Sequence, residues 1–136
     1  MKPENIDNID RAILRCLQKD AALSQREVAE RVGLSQNACW RRLKALHDSG
    51  LIAGQTLRLD PNRLGLGLTV FVMVRTRHHS ADWLQVFRRE VSTIANVVDF
   101  YRLAGDYDYM IKIVAEDMNA FDLIYQRMIA KVDLET

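Results

Sequence analysis

The chain has 136 residues, which is enough for one compact domain or two very small ones. Apolar residues make up 49% and charged residues 27%, with only 6 glycines and 2 prolines, which excludes wholesale disorder, collagen and low-complexity polymers. No apolar run approaches the ~18–20 residues of a membrane span, and no apolar stretch follows the start of the chain as in a signal peptide. We therefore expect a cytoplasmic protein with no membrane partner.

The net charge of +1, from 19 basic and 18 acidic residues, is unevenly distributed. Residues 1–60 carry a net charge of +2, whereas residues 61–136 carry −1. Arg41, Arg42 and Lys44 form a local basic cluster in the first region. Because a phosphate backbone responds to local charge, the near-neutral total does not exclude nucleic acid as a partner.

The two cysteines, Cys16 and Cys39, have neither a CxxC spacing nor further partners. This excludes a disulfide framework and a four-thiolate zinc site. We interpret both as small core side chains, with a redox-sensing role as the alternative, and we expect neither a metal nor a cofactor.

Two helices are predicted in the first 35 residues. Apolar residues at helical spacing follow the N-cap Asp7 and predict a helix over about 8–19. Ser24 and Glu27 have the capping-box spacing and begin a second, short helix. Gly33 supplies the left-handed residue that ends this helix.

A third helix is predicted over about 36–48, directly after the N-cap Ser35. Because successive residues are 100° apart on a helix, Cys39, Leu43 and Leu46 share its core side. Two helices joined by so tight a turn are typical of a helix-turn-helix, whose second helix enters the major groove of DNA.

The outer side of the third helix carries amide and basic side chains. Asparagine can pair with adenine and arginine with guanine, whereas lysine can neutralise a phosphate. An ordinary solvated helix face is the alternative interpretation. The residues predicted to contact double-stranded DNA are Ser35, Gln36, Asn37, Trp40, Arg41, Arg42 and Lys44.

The segment after the third helix predicts a β ribbon. Leu51, Ile52, Leu57 and Leu59 flank Gly54, a pattern of two short strands or one bent strand. The ribbon makes the predicted module, residues 1–60, a winged helix-turn-helix. A module of this size buries little apolar surface, so we expect it to depend on a partner or a second domain.

A connector over 61–67 precedes a second predicted domain, residues 68–136, with the order β-α-β-β-α. The predicted strands are 68–77, 97–103 and 107–115, with Gly105-Asp106 as a two-residue hairpin turn, and the predicted helices follow Ser80 and Asp117. Both faces of the first strand are largely apolar, which predicts that it is central in the sheet or covered on both sides. The order is that of an α+β, ferredoxin-like fold whose last strand is missing. We expect the native chain to continue past Thr136 or a partner to supply that strand.

Four motifs occur together in this order: the Gly33-Leu34-Ser35 turn, CWRRL at 39–43, LDP…LG at 59–65 and GDYD at 105–108. From about residue 6 onwards, the chain resembles the Lrp/AsnC family, the feast/famine transcription regulators of bacteria and archaea. GLGLT at 65–69 with HHS at 78–80 further resembles the branch that responds to cysteine and governs its breakdown.

The resemblance implies a regulator that senses a small amino acid, such as cysteine, and assembles as a dimer or an octamer. Backbone N–H groups around Gly105 can hold a carboxylate, and Asp106 or Asp108 can accept from an ammonium group. Arg102 and Ala104 precede this turn and are predicted to line the same site. The alternative is a turn whose aspartates satisfy only its own backbone.

Two other functions are alternatives for this sequence. An enzyme would use Asp106 and Asp108 as an acid/base pair, or His78, His79 and Asp82 as metal ligands. Adjacent histidines in a strand point to opposite faces, and neither set comes with a nucleophile or a phosphate-binding loop. The chain is therefore not predicted to be an enzyme. An architectural DNA-compacting protein without a specific effector is the second alternative.

Overall fold

The computed structural model describes residues 4–130, which divide into two compact units between Arg58 and Leu59. The elements are α1 (Asn8–Lys19), α2 (Gln25–Val32), α3 (Gln36–Asp48), a 3₁₀ turn (Asn62–Leu64), β1 (Leu68–Val74), α4 (Ala81–Ser92), β2 (Val97–Arg102), β3 (Tyr109–Ala115) and α5 (Met118–Ala130). Among the residues described, every helix is too short or too polar to cross a membrane.

The first unit consists of the three predicted helices, which are confirmed. The Asp7 carboxylate accepts from the Asp10 N–H at 2.8 Å, and the Ser24 hydroxyl accepts from the Glu27 N–H at 3.2 Å. Both helices begin with a reciprocal capping box. Gly33 ends α2 in the left-handed conformation, with φ at +73°. Local hydrogen bonds thus account for where α1 and α2 begin and where α2 ends.

The core of the first unit lies between these helices. Its buried residues are Ile13, Val28, Ala29, Cys39 and Leu43. Cys39 is fully buried and burial raises its thiol pKa, as expected of a core side chain. Cys16 is only half-buried, and both cysteines are free thiols.

The predicted ribbon between Leu51 and Leu59 is wrong as a paired structure. The described chain forms no strand there, although the Ile52 N–H still bonds the Leu46 carbonyl at 3.3 Å. Leu57 and Leu59 remain 89% and 63% exposed. Alternating apolar residues favour an extended backbone, but a strand also needs a neighbour to bond, which this unit does not provide.

The second unit is a three-stranded antiparallel sheet with the strand order β1-β3-β2. Val74 pairs with Tyr109 at one end of β1 and Leu68 with Ala115 at the other. The predicted order β-α-β-β-α is confirmed, and the expectation of a missing last strand concerns residues beyond those described. Helices α4 and α5 cover one face of the sheet, where Phe87 packs.

The opposite face of the sheet is not covered by the residues that the structure describes. Phe71 and Met73 of β1 are 54% and 47% exposed, and Tyr101 of β2 is 46% exposed. β1 is an edge strand of the described sheet, so the prediction of a central strand is wrong, and the exposure of Phe71 and Met73 shows that the described residues do not cover its second face. Apolar side chains therefore mark a surface that the described part of the chain leaves exposed.

The connection between β2 and β3 is longer than the predicted two-residue turn. The Leu103 N–H donates to the Asp108 carbonyl at 2.8 Å, which extends the ladder by one bond. Residues 104–107 then form a four-residue loop, which we call the β2–β3 loop. The prediction of a two-residue hairpin at Gly105-Asp106 is therefore wrong.

Candidate nucleic-acid interface and effector loop

The start of α3 is defined by the turn that separates it from α2. The Leu34 N–H bonds the Ala29 carbonyl at 2.9 Å, just after Gly33. The Ser35 hydroxyl then accepts from the Ala38 N–H at 3.2 Å and caps α3. Only Gly33 and Leu34 therefore lie between the end of α2 and the N-cap of α3, which makes the helix-turn-helix compact.

The two sides of α3 differ as the sequence predicts. Cys39, Leu43 and Leu46 are buried, with at most 7% of each side chain exposed. Six of the seven predicted DNA-contacting residues are exposed, and these are Ser35, Gln36, Asn37, Trp40, Arg41 and Lys44. The exposed amide and basic groups thus occupy one continuous side of the helix.

The basic residues of α3 differ in their partners. The Lys44 Nζ lies 2.6 Å from the Asp48 Oδ2, one turn further along, in an exposed pair. Arg41 makes no ion pair with the residues that the structure describes. An exposed i,i+4 pair stabilises a helix only slightly, so Lys44 can exchange Asp48 for a phosphate at little cost.

Arg42 lies at the edge of the buried side and contacts the start of α1. Its Nη1 is 2.7 Å from the Asp7 Oδ2 and 3.1 Å from the Asp10 Oδ1. The Arg42 hydrogen bond is the main cause that lowers the pKa of Asp7, and Asp7 in turn raises the pKa of Arg42. The guanidinium that the sequence predicts as a DNA contact is therefore already paired with two carboxylates of the same chain. No local pattern signals this pairing, because the partners are 35 and 32 residues away.

The β2–β3 loop is held by Arg75, a β1-side residue that no local sequence pattern marks as part of this site. The Arg75 Nε donates to the Asp106 carbonyl at 2.8 Å, and its guanidinium lies 5.1 Å from the centre of the Tyr107 ring. Gly105 has φ at +109°, a value that side chains rarely adopt, although a β-carbon there would meet no atom within 4 Å. Backbone strain, rather than a clash, is what disfavours a larger residue at Gly105.

Asp108 connects the loop to the end of β1. Its Oδ2 accepts from the Thr76 N–H at 2.8 Å, and its own N–H donates to the Val74 carbonyl at 2.8 Å. Thr76 is only 2% exposed. One carboxylate oxygen of Asp108 is thus committed to the backbone, as in the alternative interpretation of this turn.

The other predicted effector residues are exposed. They are Arg102, Ala104, Gly105 and Asp106. The Asp106 carboxylate has no side-chain partner among the residues described, so it can accept from a ligand ammonium group. His78 stacks on Trp83 with ring centres 6.0 Å apart, and no group of three or more metal-binding side chains is found in residues 4–130.

Two family models match the chain. A winged helix-turn-helix DNA-binding model matches residues 6–53, and the Lrp/AsnC ligand-binding domain matches residues 69–135. The DNA-binding transcriptional activator DecR of Escherichia coli K12 is 42% identical over 127 residues, covering 93% of this chain and 84% of DecR. A glutamate uptake regulatory protein of Zymomonas mobilis is 43% identical over 129 residues, covering 95% and 79%.

Solved structures give the same result. An AsnC family transcriptional regulator from Agrobacterium tumefaciens has a TM-score of 0.90 at 43% identity, covering 96% of this chain and 86% of that one. A transcriptional regulator from Neisseria meningitidis, solved as a complex with L-Met, has a TM-score of 0.89 at 32% identity, covering 97% and 86%.

Proposed function

The chain belongs to the Lrp/AsnC family of transcription regulators, and from this premise we propose that α3 reads its DNA site while the β2–β3 loop binds its amino acid. A DNA-binding helix-turn-helix and an amino-acid ligand-binding domain are the two parts that the family combines. Its members are regulators rather than enzymes. The observation that carries the proposal is the opposition of buried and exposed sides in α3.

The proposed contacts follow from the chemistry of the exposed side of α3. Asn37 and Arg41 pair with base edges, since amide and guanidinium groups make bidentate bonds to adenine and guanine. Lys44 neutralises a phosphate. The remaining exposed residues, Ser35, Gln36 and Trp40, contact the backbone and sugars around the helix N-terminus.

The active form that we propose is at least a dimer. The open sheet face with Phe71, Met73 and Tyr101 is the apolar surface that a second copy would cover. Two copies would also present two recognition helices to half-sites one helical turn apart. Dimers that assemble further would form an octamer, a difference in mass that light scattering measures. We place a protein with this DNA-binding role in the cytoplasm.

The proposed effector is a small amino acid, with cysteine as the first candidate. The L-Met complex of the Neisseria regulator supports amino-acid binding in this fold. Backbone N–H groups around Gly105 would hold the carboxylate and Asp106 would accept from the ammonium group, with Arg102 and Ala104 beside them. Asp108 contributes mainly by positioning the loop, since its Oδ2 is already bonded. The choice of cysteine rests on the resemblance of residues 65–69 and 78–80.

A thermal-shift screen of the twenty amino acids on the full chain tests the effector. A true ligand at 100-fold its Kd raises the free energy of unfolding by about 2.7 kcal/mol. Serine is the matched control for cysteine, since it exchanges the thiol for a hydroxyl. If no amino acid shifts the midpoint of thermal unfolding or changes DNA affinity, the chain is an architectural DNA-compacting protein without a specific effector, and the proposed sensing role is wrong.

A further inference from the structure

Helix α3 is attached to the rest of the first unit in two chemically different ways. Cys39 and Leu43 pack into the apolar core on one side. On the flank, Arg42 bonds Asp7 and Asp10, a group that we call the Arg42 cluster. The first attachment is non-directional, because apolar burial depends on area rather than on angle. The second is directional, because a charged hydrogen bond weakens when its geometry changes.

The acceptors of the Arg42 cluster are held in place before Arg42 reaches them. Asp7 is the N-cap of α1 and its Oδ1 accepts from the Asp10 N–H at 2.8 Å, while Asp10 Oδ2 accepts from the Asp7 N–H at 3.3 Å. The same two carboxylates therefore start α1 and receive the Arg42 guanidinium. Asp10 is also largely covered, with 17% of its side chain exposed. A fixed pair of acceptors gives Arg42 one preferred position.

We infer that Arg42 is a positioning residue: through Asp7 and Asp10 it sets the rotation of α3 about its own axis, and so aims Asn37 and Arg41 at the bases. Arg42 and Arg41 are neighbours, about 100° apart around the helix. Any rotation that moves Arg42 away from the two carboxylates moves Arg41 through the same angle. This inference rests on the proposed role of α3 in reading DNA.

The competing explanation is that Arg42 leaves Asp7 when DNA arrives and contacts a phosphate. The two explanations predict opposite signs for Asp7→Asn. Asparagine is as good an N-cap as aspartate, so the start of α1 is preserved while the ion pair of Arg42 with Asp7 is lost and only that with Asp10 remains. If Arg42 binds phosphate, releasing it and removing a negative charge strengthens DNA binding. If Arg42 positions α3, Asp7→Asn weakens the recognition of bases.

The experiment uses the full chain and two duplexes, one enriched from a random-sequence library by the parent protein and one a scrambled version of it. We expect Asp7→Asn to lower the ratio of enriched to scrambled affinity about three- to tenfold by anisotropy, because the lost negative charge acts on both duplexes alike and cancels in the ratio. Asp48→Asn is the matched control, because it removes one carboxylate from the Lys44 pair at the other end of α3. This control should strengthen binding to both duplexes alike, since only charge has changed.

A second variant separates positioning from phosphate contact if Asp7→Asn is poorly folded. With Arg42→Gln, a positioning role predicts a lower ratio of enriched to scrambled affinity at an unchanged salt slope on the scrambled duplex. A phosphate contact predicts a salt slope that is smaller by about one and an unchanged ratio of enriched to scrambled affinity. A ratio of enriched to scrambled affinity that is unchanged or higher in Asp7→Asn overturns the inference.

Measuring Arg41→Ala as well shows whether only this inference is wrong or whether the proposed function of α3 is wrong too. If Arg41→Ala lowers the ratio of enriched to scrambled affinity and Asp7→Asn does not, only the positioning role fails. If Arg41→Ala also leaves this ratio unchanged, α3 does not read the site and both fail.

Discussion

Asp108 is the residue at which loop positioning and ligand binding can be separated by substitution. Asp108→Ala removes the acceptor of the Thr76 N–H, a bond of 2.8 Å. Since Thr76 is only 2% exposed, water cannot easily replace that acceptor. An unpaired buried N–H costs about 1–3 kcal/mol, and we expect the free energy of unfolding to fall by that amount.

Asp108→Asn is the control for this substitution, because an amide oxygen also accepts from the Thr76 N–H while the negative charge is lost. We expect Asp108→Asn to lower the midpoint of thermal unfolding by only ~1–2 °C. Asp108→Ala should lower this midpoint by ~4–8 °C for each kcal/mol of unfolding free energy that is lost, as is usual in a domain of this size. Calorimetry at one fixed protein concentration measures both. Equal midpoints for the alanine and asparagine variants would refute the positioning role of the Thr76 bond.

The same variants test which aspartate meets the effector. If Asp106 accepts the ligand ammonium group, Asp106→Ala loses the response to the amino acid at nearly unchanged stability and unchanged DNA affinity. Asp108→Asn should retain the response. Titration calorimetry with the amino acid found in the thermal-shift screen measures both affinities, and a response lost in Asp108→Asn but kept in Asp106→Ala would reverse the assignment.

Three other properties should change in predictable directions. Arg41→Ala should weaken specific DNA binding by about 1–3 kcal/mol, whereas Lys44→Ala should weaken all sequences alike and lower the salt slope by about one, both measured by anisotropy across a salt series. Because Arg42 lowers the pKa of Asp7 below its usual 3.8, this pairing stabilises the fold above that pH and is lost as the pH falls through the lowered value. The parent should therefore unfold at a higher urea concentration than Asp7→Asn at neutral pH, and this difference between the two urea midpoints should disappear in acid. A difference that stays constant with pH would exclude the Arg42–Asp7 pair as its cause. Finally, Met73→Lys on the open sheet face should shift light scattering from dimer to monomer, and an unchanged mass would place the interface elsewhere.

The sequence by itself determined the helices and their ends. Asp7 and Ser24 are capping residues whose partners lie three residues away, and Gly33 adopts the left-handed conformation that its position requires. Such bonds close within one turn, so the order of residue types is sufficient to predict them. The buried side of α3 is equally predictable, because helical periodicity places Cys39 and Leu43 together.

Only the tertiary structure decided which polar groups are already engaged. Arg42 contacts Asp7 across 35 residues of chain, and Asp108 contacts Thr76 across 32. The segment after α3 has strand-like composition but no neighbour to pair with, and the loop at 104–107 is four residues long because the last ladder bond joins Leu103 to Asp108, one pair before a two-residue turn would need it. These outcomes depend on how distant elements pack, since a hydrogen bond between them forms only when packing brings donor and acceptor within about 3 Å.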